Sequence, residues 1–111
     1  MELKDIKELY KVLQKNQIDL KYEHIIKDKE STIVGFLDRL YYPFVKELHL
    51  LDRVMILLRN MIDSHVATEG NHRLAYFSML YFMELTYNGK LDKQEIYNKN
   101  EKVLVGLGVN E

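Results

Sequence analysis

The sequence predicts an all-α fold, a compact single-domain bundle of five to seven helices over residues 1–111. Apolar residues recur at steps of three and four along most of the chain, which is the spacing of a helix that buries one face. One proline and five glycines in 111 residues are too few for a turn-rich β-sandwich. A chain of this length supports one hydrophobic core and has no room for a second.

The first half of the chain contains three predicted helices. An amphipathic pattern covers residues 3–15, and a weaker one covers residues 30–41. Pro43 predicts a boundary near Tyr42, because proline disfavours helical geometry in the residue before it. The clearest pattern predicts a helix of roughly 17 residues that ends at His65. Its apolar positions are Leu48, Leu51, Val54, Met55, Leu58, Met61 and Ile62.

The second half centres on a helix from about residue 71 to 87, which is apolar nearly all round between Leu74 and Leu85. A helix of that kind usually lies at the centre of a bundle. Asn88-Gly89 should end it. After Asp92, which is suited to cap a helix, we expect a short helix to about Asn98 and a separate amphipathic stretch over residues 99–107.

Composition limits the classes of function. The chain has no cysteine, which excludes disulfides, thiolate metal sites and cysteine nucleophiles. A net charge of −1 predicts no general affinity for DNA or other nucleic acid. The N-terminus lacks the pattern of a signal peptide, and the longest apolar stretch is too short to span a bilayer. We therefore expect a cytoplasmic protein without membrane contact.

The segment from His65 to Arg73 carries the chemistry. His65 closes one predicted helix, and Glu69, Gly70 and Asn71 open the next. The N-terminus of a helix presents unpaired N–H groups and a partial positive charge, so it suits an anion. An imidazole, a carboxylate, an amide and a guanidinium within nine residues are the groups that phosphoryl transfer uses.

This segment resembles the signature of the Fic/Doc family, His-x-Phe-x-(Asp/Glu)-Gly-Asn-x-Arg. His65, Glu69, Gly70, Asn71 and Arg73 match it in identity and spacing. The family places the motif between two central helices, the second strongly apolar, as predicted here. The resemblance extends over residues 28–107, and the motif is its specific part.

The resemblance implies a role for each matched residue. His65 is the expected base that takes a proton from the attacking hydroxyl, and Glu69 is the expected ligand of Mg²⁺. Gly70 and Asn71 are expected to line the phosphate-binding turn, and Arg73 to neutralise the phosphates. ATP or another nucleoside triphosphate is the implied co-substrate. We expect these side chains to converge on one pocket. If Arg73 is instead salt-bridged on the far side of its helix, the interpretation as a phosphate site fails.

Three departures from the family select among its activities. Ala67 stands in place of the phenylalanine, which usually packs under the loop. His72 stands where AMP-transferring members have glycine and Doc-type members have lysine, so it is a candidate phosphate contact. Tyr76 replaces the second arginine of AMP-transferring members. The sequence therefore resembles Doc-type toxins of toxin–antitoxin systems, which phosphorylate a hydroxyl on a translation factor. AMP transfer and a catalytically degenerate binding protein are the alternatives within the family.

A rival motif shares the same histidine. Arg59 and His65, with Asn60 after the arginine, resemble the Arg-x-x-x-x-x-His pair of HEPN ribonucleases, which cleave RNA without a metal. Two residues at a tolerant spacing are a weaker signal than five. A solvated Arg59 on the surface of a helix is the simpler interpretation.

The predicted partners follow from the Doc-type interpretation. One is a target protein with a modifiable hydroxyl. Many Fic proteins carry a self-inhibitory Ser/Thr-x-x-x-Glu-Gly/Asn helix, but no serine or threonine here is followed by glutamate at that spacing. We therefore expect inhibition in trans by a separate antitoxin. The sequence leaves the oligomeric state open.

Overall fold

The computed structural model describes residues 1–89 and 92–109, and these residues form an all-α fold, as predicted. The described helices are α1 (Leu3–Asn16), α2 (Glu30–Arg39), α3 (Pro43–Lys46), α4 (Leu50–Ser64), α5 (Asn71–Asn88) and α6 (Lys93–Val109). Two single-turn 3₁₀ segments, Ile18–Leu20 and Lys27–Lys29, connect α1 to α2. The predicted domain also includes residues 90, 91, 110 and 111, which lie outside the described part.

Local chemistry explains where the helices begin. Glu2 and Asp5 form a reciprocal capping box at the start of α1. Pro43 occupies the first turn of α3, where its missing N–H costs no hydrogen bond. The Asp92 carboxylate accepts a hydrogen bond from the Gln94 N–H at 2.9 Å and so caps α6.

The apolar helix α5 is the centre of the bundle, which confirms the prediction for residues 71–87. It packs against α4, α6 and α1. Its buried residues are Asn71, Arg73, Leu74, Ala75, Phe77, Ser78, Tyr81 and Phe82. Apart from Val45, the buried apolar side chains of the described residues join in one continuous cluster. The start of α5, which carries the motif, therefore has a rigid support.

Two parts of the chain differ from the prediction. Residues 93–109 form one continuous helix, so the predicted break between Asn98 and Lys99 is wrong. Tyr97 and Leu104 lie on the same buried face, and the Asn100 side chain donates to the Ile96 carbonyl without interrupting the helix. Residues 17–29, for which no periodic pattern predicted structure, form the 3₁₀ segments and a short extended stretch.

None of the helices in the described ranges combines the length and apolar character needed to cross a membrane.

A mostly buried ion pair ties α6 to α1. The Lys93 ammonium lies 3.2 Å from an Asp5 carboxylate oxygen and 4.7 Å from the centre of the Tyr81 ring. Burial acts to raise the pKa of Asp5, but the Glu2 N–H bond and Lys93 outweigh it, and the pKa is lowered. Burial acts to lower the pKa of Lys93, but Asp5 and Tyr81 outweigh it, and the pKa is raised.

We predict that Asp5→Asn lowers the free energy of unfolding by about 2 kcal/mol at pH 7. The change removes the nearer and more buried carboxylate of Lys93 and leaves only the more exposed Glu8 at 3.7 Å. The lowered pKa of Asp5 means that its stabilisation is present above the ordinary value of 3.8 and is lost as pH falls through the folded value. Urea unfolding of both proteins should therefore show a difference at pH 7 that shrinks at pH 3.

The matched control is Lys99→Gln, which removes an exposed pair with Glu95 at 3.9 Å. This change should alter stability by less than about 0.5 kcal/mol. Equal stability of Asp5→Asn and the unmodified protein at pH 7 would contradict the role of the buried pair.

Candidate functional site

The motif loop between α4 and α5 is bracketed by two left-handed residues. His65 follows the last residue of α4 with φ 50° and ψ 59°, and Gly70 precedes α5 with φ 77° and ψ 26°. His65 is the one residue other than glycine with positive φ in the described part of the chain. Such backbone strain in a non-glycine residue persists where the surrounding structure holds it, and it is common at functional sites.

The Asn71 side chain holds the loop in a fixed turn. Its Oδ1 accepts a hydrogen bond from the Ala67 N–H at 2.9 Å, and its Nδ2 donates to the Ala67 carbonyl at 2.7 Å. Both residues are buried. Asn71 was predicted to line a phosphate-binding turn. Its amide is engaged by the backbone of that turn, so its contribution is to shape the turn.

The segment before α2 braces the loop from the other side. The Ile26 N–H donates to the Val66 carbonyl at 2.8 Å, and the Thr68 N–H donates to the His24 carbonyl at 3.0 Å. The His24 N–H donates in turn to the Thr68 hydroxyl at 3.1 Å. These bonds form a short antiparallel pairing, so the loop is well held although Ala67 replaces the larger phenylalanine of the family.

Two further contacts fix the end of the loop. The Tyr10 hydroxyl of α1 donates to the backbone carbonyl of Glu69 at 2.8 Å. This bond does not involve the Glu69 carboxylate. Leu20 packs directly beneath Gly70, and a Cβ on Gly70 would lie 2.9 Å from a Leu20 methyl carbon. A left-handed φ and this close approach together require glycine at position 70.

The loop and the first turn of α5 enclose a cavity of about 230 Å³. It is lined by Ile62, His65, Thr68, Glu69, Gly70, Asn71 and His72. The side chains of His65, Glu69 and His72 are exposed, so they are accessible to a ligand from solvent. Two histidines, a glutamate and the N-terminal end of a helix thus border one cavity.

Arg73 does not reach this cavity, so the prediction that it converges there with His65 is wrong. Its side chain is 3% exposed, and its guanidinium forms an ion pair with Asp19 at 2.9 Å. A second guanidinium nitrogen donates to Gln17 at 2.6 Å. Position 73 is rotated by about 200° from position 71 around the helix. A guanidinium buried on that face needs a carboxylate partner, and Asp19 provides it.

The Arg73 ion pair lies beside the end of α6. Gly108 faces the guanidinium, and a Cβ there would lie 2.8 Å from an Arg73 nitrogen. The hydrogen bond from Arg73 is the main cause that lowers the pKa of Asp19. Arg73 therefore joins the 3₁₀ segment after α1 to the start of α5 and to the C-terminal end of α6.

Glu69 fits the requirements of a Mg²⁺ ligand. Within residues 1–89 and 92–109, no group of three or more histidine, aspartate or glutamate side chains is arranged to hold a metal ion. Magnesium rarely needs such a group, because it is usually bound by one or two carboxylates together with substrate phosphates and water. The exposed Glu69 carboxylate is compatible with that arrangement when a nucleotide is bound.

The ribonuclease pair is not assembled in the described structure. Arg59 is 85% exposed and forms a 3.5 Å ion pair with Asp63. Among the described residues, Arg59 does not line the cavity that contains His65. Residues six positions apart are rotated by about 240° on a helix, which places Arg59 and His65 in different directions.

The residues that hold the site were not found by sequence reasoning. Tyr10, Gln17, Asp19 and His24 all contact the motif. Tyr10 lies on the apolar side of the predicted first helix, but that pattern does not indicate a contact with the motif, and the other three belong to no pattern. A buried arginine requires an acidic partner, but the chain has 17 acidic residues, and spacing does not single out Asp19.

Comparisons of this chain with protein-family models, curated proteins and solved structures find no match. The Fic/Doc resemblance thus stays a prediction based on five residues and their spacing.

We predict that Gly70→Ala lowers the free energy of unfolding by more than about 1–2 kcal/mol, since it adds left-handed strain to a contact with Leu20. Gly106→Ala is the matched control, because nothing lies within 4 Å of a Cβ there. Alanine within α6 should stabilise the protein by about 0.5–1 kcal/mol. Thermal unfolding of the two variants gives the comparison, and a Gly70→Ala protein as stable as the unmodified one would contradict the described loop.

Proposed function

We propose that this chain is a Doc-like toxin that transfers the terminal phosphate of a nucleoside triphosphate to a hydroxyl of a target protein. The observation that carries the proposal is the shared cavity of His65, Glu69 and His72 at the N-terminal end of α5. The five motif residues at Fic/Doc spacing support the same assignment. A translation factor is the class of target that the resemblance implies.

His65 is the proposed general base. Its ring is exposed at the cavity, and its backbone is fixed by the left-handed turn at the end of α4. It takes the proton of the target hydroxyl as that oxygen bonds to the terminal phosphorus. The bond from phosphorus to the bridging oxygen breaks, and the nucleoside diphosphate leaves. A positioned base of this kind contributes roughly 10²- to 10⁴-fold in rate.

The phosphates are proposed to lie at the first turn of α5. The N–H groups of a helix N-terminus and its partial positive charge favour an anion there. Gly70 allows the tight left-handed turn over Leu20 from which the N–H groups of α5 start. His72 supplies a donor from the first turn. Glu69 would hold Mg²⁺, which when bound neutralises phosphate charge.

The salt-bridged Arg73 is the arrangement under which, by the expectation from the sequence, a phosphate site that uses this arginine fails. The proposed site therefore holds the phosphates without Arg73, which has a structural role. Its guanidinium is engaged by Asp19 and Gln17 on the opposite side of the helix. The same observation favours a second candidate, a catalytically degenerate protein that binds a partner through this loop. AMP transfer has less support, because Tyr76 replaces the second arginine.

A toxin of this kind requires a regulator that inhibits it. An active transferase without a self-inhibitory helix would harm the cell that makes it. The proposal therefore includes an antitoxin protein that inhibits the enzyme in trans, as expected from the absence of the Ser/Thr-x-x-x-Glu pattern.

We predict that His65→Asn abolishes phosphate transfer and growth inhibition while leaving the fold intact. Asparagine tolerates the left-handed backbone of this position but does not act as a base. His49→Asn is the matched control, because His49 is an exposed histidine at the opposite end of α4. Intact-mass analysis of proteins from expressing cells would detect the phosphate added to a target.

The outcomes separate the candidates. Loss of a Mg²⁺-dependent phosphate adduct in His65→Asn alone supports the phosphotransferase. An adduct with the mass of AMP would transfer the assignment to nucleotidyl transfer. Normal growth with folded protein and no nucleotide binding would contradict both activities and favour the degenerate binding protein.

A further inference from the structure

An apolar stripe lies on the outer face of α4. Leu51, Met55, Leu58 and Ile62 follow one another at steps of four, three and four. Leu51 is 68% exposed and Met55 51% exposed, and Ile62 is also exposed. This spacing is that of the contact positions of two paired helices. Phe44 and Leu48, both exposed, extend the apolar surface beyond the start of α4.

The stripe is separate from the face that α4 uses within its own bundle. Val54, Leu57 and Met61 are the buried residues of the helix, and they form a second row at the same kind of spacing. Leu58 is half-buried and also packs against the core. The core therefore accounts for the inner row and for part of Leu58, but not for the exposed Leu51, Met55 and Ile62. A continuous exposed apolar patch on a small protein marks a contact surface.

The charged residues beside the stripe are arranged so that those of one copy match those of a second copy. Asp52 and Arg59 lie on the same flank of α4, seven positions and about 10 Å apart along the axis. Two copies of α4 that pack antiparallel, with a two-fold axis crossing between these positions, place each Asp52 opposite the other copy's Arg59. A two-fold interface requires this reciprocity, in which residue i meets j and j meets i.

We propose that α4 pairs antiparallel with α4 of a second copy of this chain, and that the stripe is a homodimer interface. Met55 and Leu58 lie nearest the two-fold axis, and Leu51 meets Ile62 of the partner subunit at each end. The pairing does not depend on the proposed catalytic activity.

A second copy fits the stripe better than an unrelated helix does, because a single chain supplies both the apolar row and the matching charges. The 3.5 Å pair of Arg59 with Asp63 is largely exposed, so it competes only weakly with the intermolecular pair. Ile62 also lines the cavity of His65. The partner subunit therefore lies at the rim of the candidate site.

Exchanging the charges at positions 52 and 59 tests the interface through its effect on dimerisation. Sedimentation equilibrium over a range of protein concentrations should show a monomer–dimer equilibrium, since a stripe of four residues gives a small interface. Asp52→Arg alone and Arg59→Asp alone each create two like-charge pairs and should weaken dimerisation at least tenfold. The double variant Asp52→Arg/Arg59→Asp restores both pairs and should recover most of the affinity. Ile18→Glu, at an exposed apolar residue away from α4, is the control and should have no effect.

Disulfide trapping tests the orientation, and the chain has no native cysteine to interfere. Leu51→Cys and Ile62→Cys proteins are mixed and oxidised. Antiparallel packing predicts that the disulfide between position 51 of one subunit and position 62 of the other forms in preference to the disulfide between the two positions 51. The proposal is overturned if the protein is a monomer at every concentration, or if the dimer does not respond to the charge changes. It is also overturned if the disulfide between the two positions 51 is preferred, or if the stripe is covered only when a different protein is co-expressed.

Discussion

The guanidinium of Arg73 is buried against Asp19 and Gln17, and this contact connects three distant parts of the chain. A buried cation is costly unless a carboxylate and further acceptors surround it. Asp19 and Gln17 meet that need only when the 3₁₀ segment after α1 lies against the first turn of α5. The end of α6 completes the enclosure, and Gly108 leaves the space that the guanidinium occupies. The position of the motif loop depends on this arrangement.

The motif residues therefore lie on two faces of α5 and have different roles on each. On one face, Arg73 fastens the helix to the rest of the bundle. On the other, Asn71 shapes the turn that presents His65, Glu69 and His72 to solvent. Residues that a signature groups as one site thus separate into a structural set and a chemical set. A helix makes this separation natural, because positions two apart point in nearly opposite directions.

Sequence periodicity predicted most of the fold. The apolar rows of α1, α4 and α5 are long and regular, so their helices and the central place of α5 follow directly. The division of α6 was wrong because Asn98 is exposed and the half-buried Asn100 bonds the Ile96 carbonyl of its own helix, so neither residue interrupts the helix. Residues 17–29 gave no periodic signal, because short 3₁₀ turns and a two-residue pairing are specified by tertiary contacts.

The site was predicted less completely for a related reason. Local spacing brings His65, Glu69 and His72 together, and local spacing is visible in sequence. The partner of Arg73 is more than 50 positions away in the chain, and no pattern in a single sequence selects Asp19 among the acidic residues. The family signature gave Arg73 a phosphate contact that the buried ion pair replaces.

The direct test of this account is a nuclear magnetic resonance titration with Mg²⁺ and ATP that follows both faces of α5. If the loop binds the nucleotide and Arg73 stays with Asp19, the backbone signals of Gly70 and His72 and the His65 ring signals should show saturable shifts. The Arg73 side-chain signal and the Asp19 carboxylate signal should stay unchanged. Movement of the Arg73 and Asp19 signals would show that the guanidinium leaves its partner to bind phosphate. That result, or the absence of any shift at the loop, would contradict the account.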